Sequence, residues 1–110
     1  MQNQDASGNN VLTQQANSEN ITFDEILKLP AGEVLDSIIY KELHMRAHAP
    51  YSTDIRYAWI LVEKFSPIHL FILERDPQDL EWNCSFNAKH GIGFADTASL
   101  AICRAALLIG

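Results

Sequence analysis

Two imidazoles four residues apart, His44 and His48, combine residue type and spacing most directly into chemistry. At i and i+4 they would share one helix face, as two ligands of a metal do. The metalloprotease pattern needs Glu directly after the first His, and Met45 stands there. No cysteine or acidic cluster adds an obvious third ligand, although His69 or His90 remains available. The pair therefore reads as surface histidines at a fraying helix end, where the dipole favours them. Gly91-Ile92-Gly93 before a helix invites a phosphate-loop reading, but the third glycine of the dinucleotide pattern is absent and Asp96 would repel an anion. His90 with Asp96 is a conceivable acid–base pair, and Ser52 or Ser99 a conceivable nucleophile, yet nothing in their spacing selects them. Cys84 and Cys103 form no paired motif and read as buried free thiols acting as small hydrophobes. The expectation is no enzyme, no metal and no cofactor. If a ligand or partner is bound, the candidate residues are the two polar helix starts, Tyr51-Ser52-Thr53-Asp54 and Asp96-Thr97, with Arg104 or Arg56 as counter-charge.

The elements that must position these residues are legible from period and punctuation. The clearest is the Ala- and Leu-rich run after Asp96-Thr97, a helix to about Leu108 with apolar groups on most of its circumference. Such a helix must be covered on a broad face. Thr22 with Glu25 forms a capping box, with Ile21 and Ile26 as a hydrophobic staple, for a short helix stopped by Pro30. A second helix from about Ala31 to Leu43 has Val34, Leu35, Ile38, Ile39 and Leu43 as its stripe, with Asp36 outside. A third, from about Asp54 to Phe65 and capped by Ser52 or Thr53, buries Ile55, Ala58, Trp59, Val62 and Phe65. Ile68 to Arg75 is a strand apolar on both faces, which predicts cover on both sides. After the Asp76-Pro77-Gln78-Asp79 turn, Leu80 to Ala88 alternates as an antiparallel neighbour with one wet face. Ile92 and Phe94 supply a short third strand.

Fourteen acidic against eight basic residues leave a net charge of -6. The basic residues are scattered singly, which excludes non-specific nucleic-acid binding. The acidic excess reads as a solvated surface rather than one aimed at a basic partner. No stretch has the charged and apolar regions of a signal peptide, and the longest apolar run is too short to span a bilayer, so the expected location is cytoplasmic. Residues 1–20 are polar with few apolar groups, a composition that predicts a disordered tail before a single domain over 21–110.

Several segments resemble the phage ABA sandwich domain family. They are Gly32-Glu33-Val34-Leu35-Asp36-Ser37-Ile38-Ile39, Pro50-Tyr51-Ser52-Thr53-Asp54-Ile55 with Ala58-Trp59 and Val62-Glu63-Lys64, and Ala95-Asp96-Thr97-Ala98 with Leu100 to Leu107. The resemblance implies an α+β fold, a three-layer α-β-α sandwich with a small antiparallel sheet of two or three strands flanked by helices. It implies a phage or prophage origin, hence a bacterial host cell, and carries over no catalytic residues. Three classes follow in order: an accessory protein that binds and blocks a host protein, a small-ligand binder sequestering a nucleotide-like signal, and an enzyme. Ile102, Ala105, Ala106 and Ile109 are apolar flanks of the last helix. Either a symmetric homodimer covers them, or the second and third helices enclose them within one chain. Deleting residues 1–20 is expected to leave the melting temperature nearly unchanged; a drop of several degrees would make the tail part of the fold.

Overall fold

The computed structural model describes residues 22–109. Four helices and a three-stranded sheet follow in the order α1 (Phe23–Lys28), α2 (Glu33–Glu42), α3 (Ile55–Phe65), β1 (Phe71–Arg75), β2 (Trp82–Phe86), β3 (Gly93–Ala95) and α4 (Ala98–Ile109), with a 3-10 turn at Ala88–His90 before β3. The sheet order is β1-β2-β3 and both pairings are antiparallel. This is the α+β sandwich expected from the sequence. The tail and the Ile21–Ile26 staple lie outside the described residues and side chains.

Local chemistry sets the helix ends. The Thr22 N–H donates to Glu25 Oε1 at 3.0 Å, and the Glu25 N–H donates to Thr22 Oγ1 at 3.2 Å, so the capping box closes as read. The cap of α3 differs from expectation. Asp54, in extended conformation, accepts from the Arg56 N–H at 3.0 Å, because Ser52 is drawn inward to other partners. At α4, Thr97 Oγ1 accepts from the Leu100 N–H at 3.2 Å.

Helix α4 is the centre of the packing. Nine of its side chains, from Ser99 to Leu108 with Arg104 excepted, are buried. It packs on β2 and β3, against α3, and less extensively against α1 and α2. Ile102, Ala105 and Ala106 are buried within the one chain, and Ile109 packs on the core.

The closest approach is at Gly93. A Cβ there would stand 2.6 Å from both the Ala101 carbonyl oxygen and the Ala105 nitrogen, so the strand has room only for hydrogen. Gly91, at φ +112°, occupies the left-handed region that favours glycine and lies beneath Leu108. The Gly-Ile-Gly segment is thus a packing device, with Ile92 and Phe94 turned to the outside.

Two stripes differ from their expected composition. On α2, Leu35, Ile38 and Ile39 are buried while Val34 is 62% exposed. On α3 the buried set is Ala58, Leu61 and Val62, and Trp59, expected as a core anchor, is 43% exposed with its ring edge-on to Phe71. Ala58 and Val62 are buried as expected, and Leu61 takes the inward place expected of Trp59 and Ile55.

The two faces of β1 are used differently. Phe71 and Leu73 turn towards the helices, whereas Ile68, Leu70 and Ile72 are exposed. Among the described residues α4 covers β2 and β3 on the inner face of the sheet, and α3 packs on α4.

Cys84 and Cys103 are free and buried, and burial pushes both thiols up, Cys84 to about 12. The packing at Gly93 yields a direct expectation. Gly93→Ala forces backbone apart from backbone, at a cost of about 2–3 kcal/mol by overpacking, and lowers Tm by at least about 8 °C. An unchanged thermal unfolding midpoint would show that α4 can lift off β3 without loss.

Candidate functional site

The described surface holds a groove of about 480 Å³ where the α2–α3 connection passes over α3. Its lining is apolar at Met45, Ala47, Tyr51 and Ile60 and charged or polar at His44, Arg46, Glu63 and Lys64. Helix α2 ends because Leu43 leaves helical geometry and His44 turns to φ +53°, a left-handed step that redirects the chain. The Met45 N–H then donates to the Tyr40 carbonyl at 3.0 Å, and the His48 ring stacks on Tyr40 at 3.7 Å. His44 and His48 therefore do not share a helix face, and the i, i+4 ligand geometry is not formed.

Further along the loop, the buried Tyr51 donates its phenol to the Ala47 carbonyl and so holds the groove wall against the core. Burial, followed by the nearby Asp36, raises the Tyr51 pKa, which keeps the phenol a donor. The next residue ties the loop to α2. Ser52 is fully buried, and its Oγ donates to Asp36 Oδ1 at 2.6 Å while accepting from the Gly32 N–H at 2.9 Å. Its own N–H donates to the same Asp36 oxygen at 2.8 Å. Asp36, read as an outward residue, is half-buried and takes both bonds. Its partner lies 16 positions away, so no local spacing announced it.

The remaining candidates are placed plainly. Thr53 is exposed. Asp54 holds the α3 cap, and Arg56 pairs with it at 2.8 Å. Hydrogen bonding from Arg56 holds the Asp54 carboxyl below its usual range. Because that pKa is depressed on folding, the contribution is present above the unfolded value near 3.8 and fades as pH falls through the lowered one. Asp96 is exposed beside the α4 cap formed by Thr97.

Arg104 is no free counter-charge. Its Nη1 donates to the Phe94 carbonyl at 2.6 Å and its Nη2 to the Leu29 carbonyl at 2.8 Å. Burial lowers its pKa, opposed by Asp96 and Glu81, from a value so high that the charge persists. No hydrogen bond joins the Tyr51–Asp54 set to the Asp96–Arg104 set among the described residues. The groove is built instead on Tyr51 together with Met45, Ile60, Glu63 and Lys64. The sequence signal for it was slight: an apolar Ile60 on the charged side of α3 and a Met between basic residues.

The model of the phage ABA sandwich domain matches residues 18–107. The chain belongs to this family. No curated protein and no solved structure matches it. The match spans every described strand and all of the helices but the end of α4, so this phage ABA sandwich protein has both its groove and its Arg104 clasp inside the family domain. No helix among its described residues is long and apolar enough to cross a membrane.

The Ser52–Asp36 tie predicts a large effect from a small change. Asp36→Ala leaves the Ser52 N–H and hydroxyl buried without their acceptor and costs about 2–3 kcal/mol. Ser52→Ala, which removes the hydroxyl but keeps the N–H bond, costs less. Denaturant titration of the two variants checks the order, and equal midpoints for Asp36→Ala and the native chain would contradict it.

Proposed function

We propose that this protein is a non-catalytic phage accessory protein that binds a host protein in the cytoplasm and blocks it, using the α2–α3 groove. The observation that carries the reading is the composition of that groove. An apolar floor of Met45, Ala47, Tyr51 and Ile60 sits within a rim of His44, Arg46, Glu63 and Lys64. An apolar centre with a polar rim is how protein interfaces are built. Two bases on the rim, in a chain of net charge -6, suit an apolar side chain flanked by acidic groups. The non-catalytic part is supported by how the polar groups are used. Asp36, Ser52, Thr97 and Arg104 are each occupied in holding backbone, and both thiols are kept protonated by burial.

The same two bases favour one other reading, a small anionic ligand of nucleotide type in the groove. Affinity capture from lysate of a bacterial host, with Ile60→Glu as the paired variant, separates the two. Ile60 is exposed, so the variant keeps its Tm. A host protein held in stoichiometric amount by the native chain and lost with Ile60→Glu supports the proposal. Capture that the variant does not alter, or no capture together with a nucleotide-induced rise in Tm, rejects it.

A further inference from the structure

The two edges of the sheet are treated differently. The Asn87 N–H donates to the Leu70 carbonyl and the Asp76 N–H to the Glu81 carbonyl. In an antiparallel ladder this fixes the parity: even-numbered residues of β1 direct their backbone groups at β2, and Phe71, Leu73 and Arg75 direct theirs outward. By the same alternation Phe94 is the outward residue of β3, and Arg104 closes that edge by donating to its carbonyl. No hydrogen bond reaches the outward groups of Phe71, Leu73 or Arg75 among the described residues. The open stretch is bounded at both ends. The His69 N–H is already taken by the Phe65 carbonyl at the end of α3, and Pro77 has no N–H to offer.

We propose that the β1 edge is a strand-addition site for a second copy of this chain, giving an antiparallel six-stranded sheet across a two-fold axis at Leu73. Only an extended backbone satisfies three alternating donor–acceptor pairs, and self-pairing centred on Leu73 uses all three. That register places Leu73 opposite its own copy and Phe71 opposite Arg75 of the second copy. Phe71 already forms an edge-on pair with Trp59, so the arriving guanidinium meets two aromatic rings. Glu74 then faces Ile72 of the copy. The neighbouring register, centred on Glu74, sets Glu74 against Glu74 and is disfavoured. Beside this edge stands the exposed Trp59 of α3, edge-on to Phe71, which the added strand would cover. The groove lies on the opposite flank of α3, at Ile60 and Lys64, so this inference stands independently of the proposed function.

Sedimentation equilibrium on the full chain is expected to give a dimer in the micromolar range. Arg75→Pro removes an outward N–H from each copy and no backbone bond within the sheet, and it weakens association by at least about tenfold relative to Arg75→Ala, which loses only the guanidinium and its bond to the Leu80 carbonyl. The Ile72→Cys/Glu74→Cys double variant brings the two substituted positions of different copies face to face and gives a covalent dimer on mild oxidation; neither single variant does. A native chain that stays at the monomer mass up to millimolar concentration overturns the proposal and leaves the edge to a strand of another protein. A dimer that neither responds to Arg75→Pro nor cross-links in the double variant overturns it equally.

Discussion

Backbone against backbone at Gly93 is the contact on which the other features rest. With no Cβ on the strand, α4 settles onto β3 at the separation of main-chain atoms and presents nearly its whole circumference to other elements. The small residues of α4, Ala101 and Ala105 beside Arg104, are the other half of that fit. Side chains that reach from α4 then have short distances to cover. Arg104 arrives at the edge of β3 and at the end of α1 together, and of its two charge-assisted bonds the one to Leu29 joins residues 75 positions apart in the chain. A larger residue at 93 would move the guanidinium as well as the helix.

A second polar clasp does comparable work on the other side of α4. Ser52 and Asp36 fasten the α2–α3 connection to the first turn of α2, and Tyr51 fastens its middle by donating to Ala47. The connection has no regular ladder of its own, so its backbone groups are satisfied one at a time by side chains. That is what holds a loop firmly enough to form the wall of a groove. The residues whose polarity first suggested ligand binding are mostly the ones that stabilise these irregular segments.

What was legible in the sequence was local. The capping box at Thr22 and Glu25, the end of α2, the turn at Asp76-Pro77 and the apolar run of α4 all depend on neighbours within a few positions, and each appears where its spacing placed it. What was not legible depended on distant partners. Asp36 reads as a surface acid until Ser52 folds against it. Trp59 reads as a core anchor until Leu61 takes the inward place beside Ala58. Gly93 reads as part of an incomplete phosphate-loop pattern until a helix lies on it. The groove is harder still, because Met45 and Ile60 are ordinary residues that matter only once the left-handed step at His44 brings the loop over α3.

The layer order follows from the same helix. A strand apolar on both faces argues for helices on both, and β1 is such a strand, with Phe71 and Leu73 against Leu70 and Ile72. The competing demand comes from α4. A helix with Leu100, Ile102, Cys103, Ala106 and Leu107 distributed around its axis leaves no face fit for water, and a sheet covers only one side of it. Helices α2 and α3 are the apolar surfaces at hand, and the chain cannot place them both over α4 and over the far face of the sheet. The two alternatives are unequal. The outer face of the sheet has Glu74 and Asn83 between its exposed apolar groups Ile72 and Phe94. The back of α4 has the small Ser99 as its polar group and is otherwise apolar. Covering α4 removes a nearly continuous apolar surface from water, so α2 and α3 pack on it.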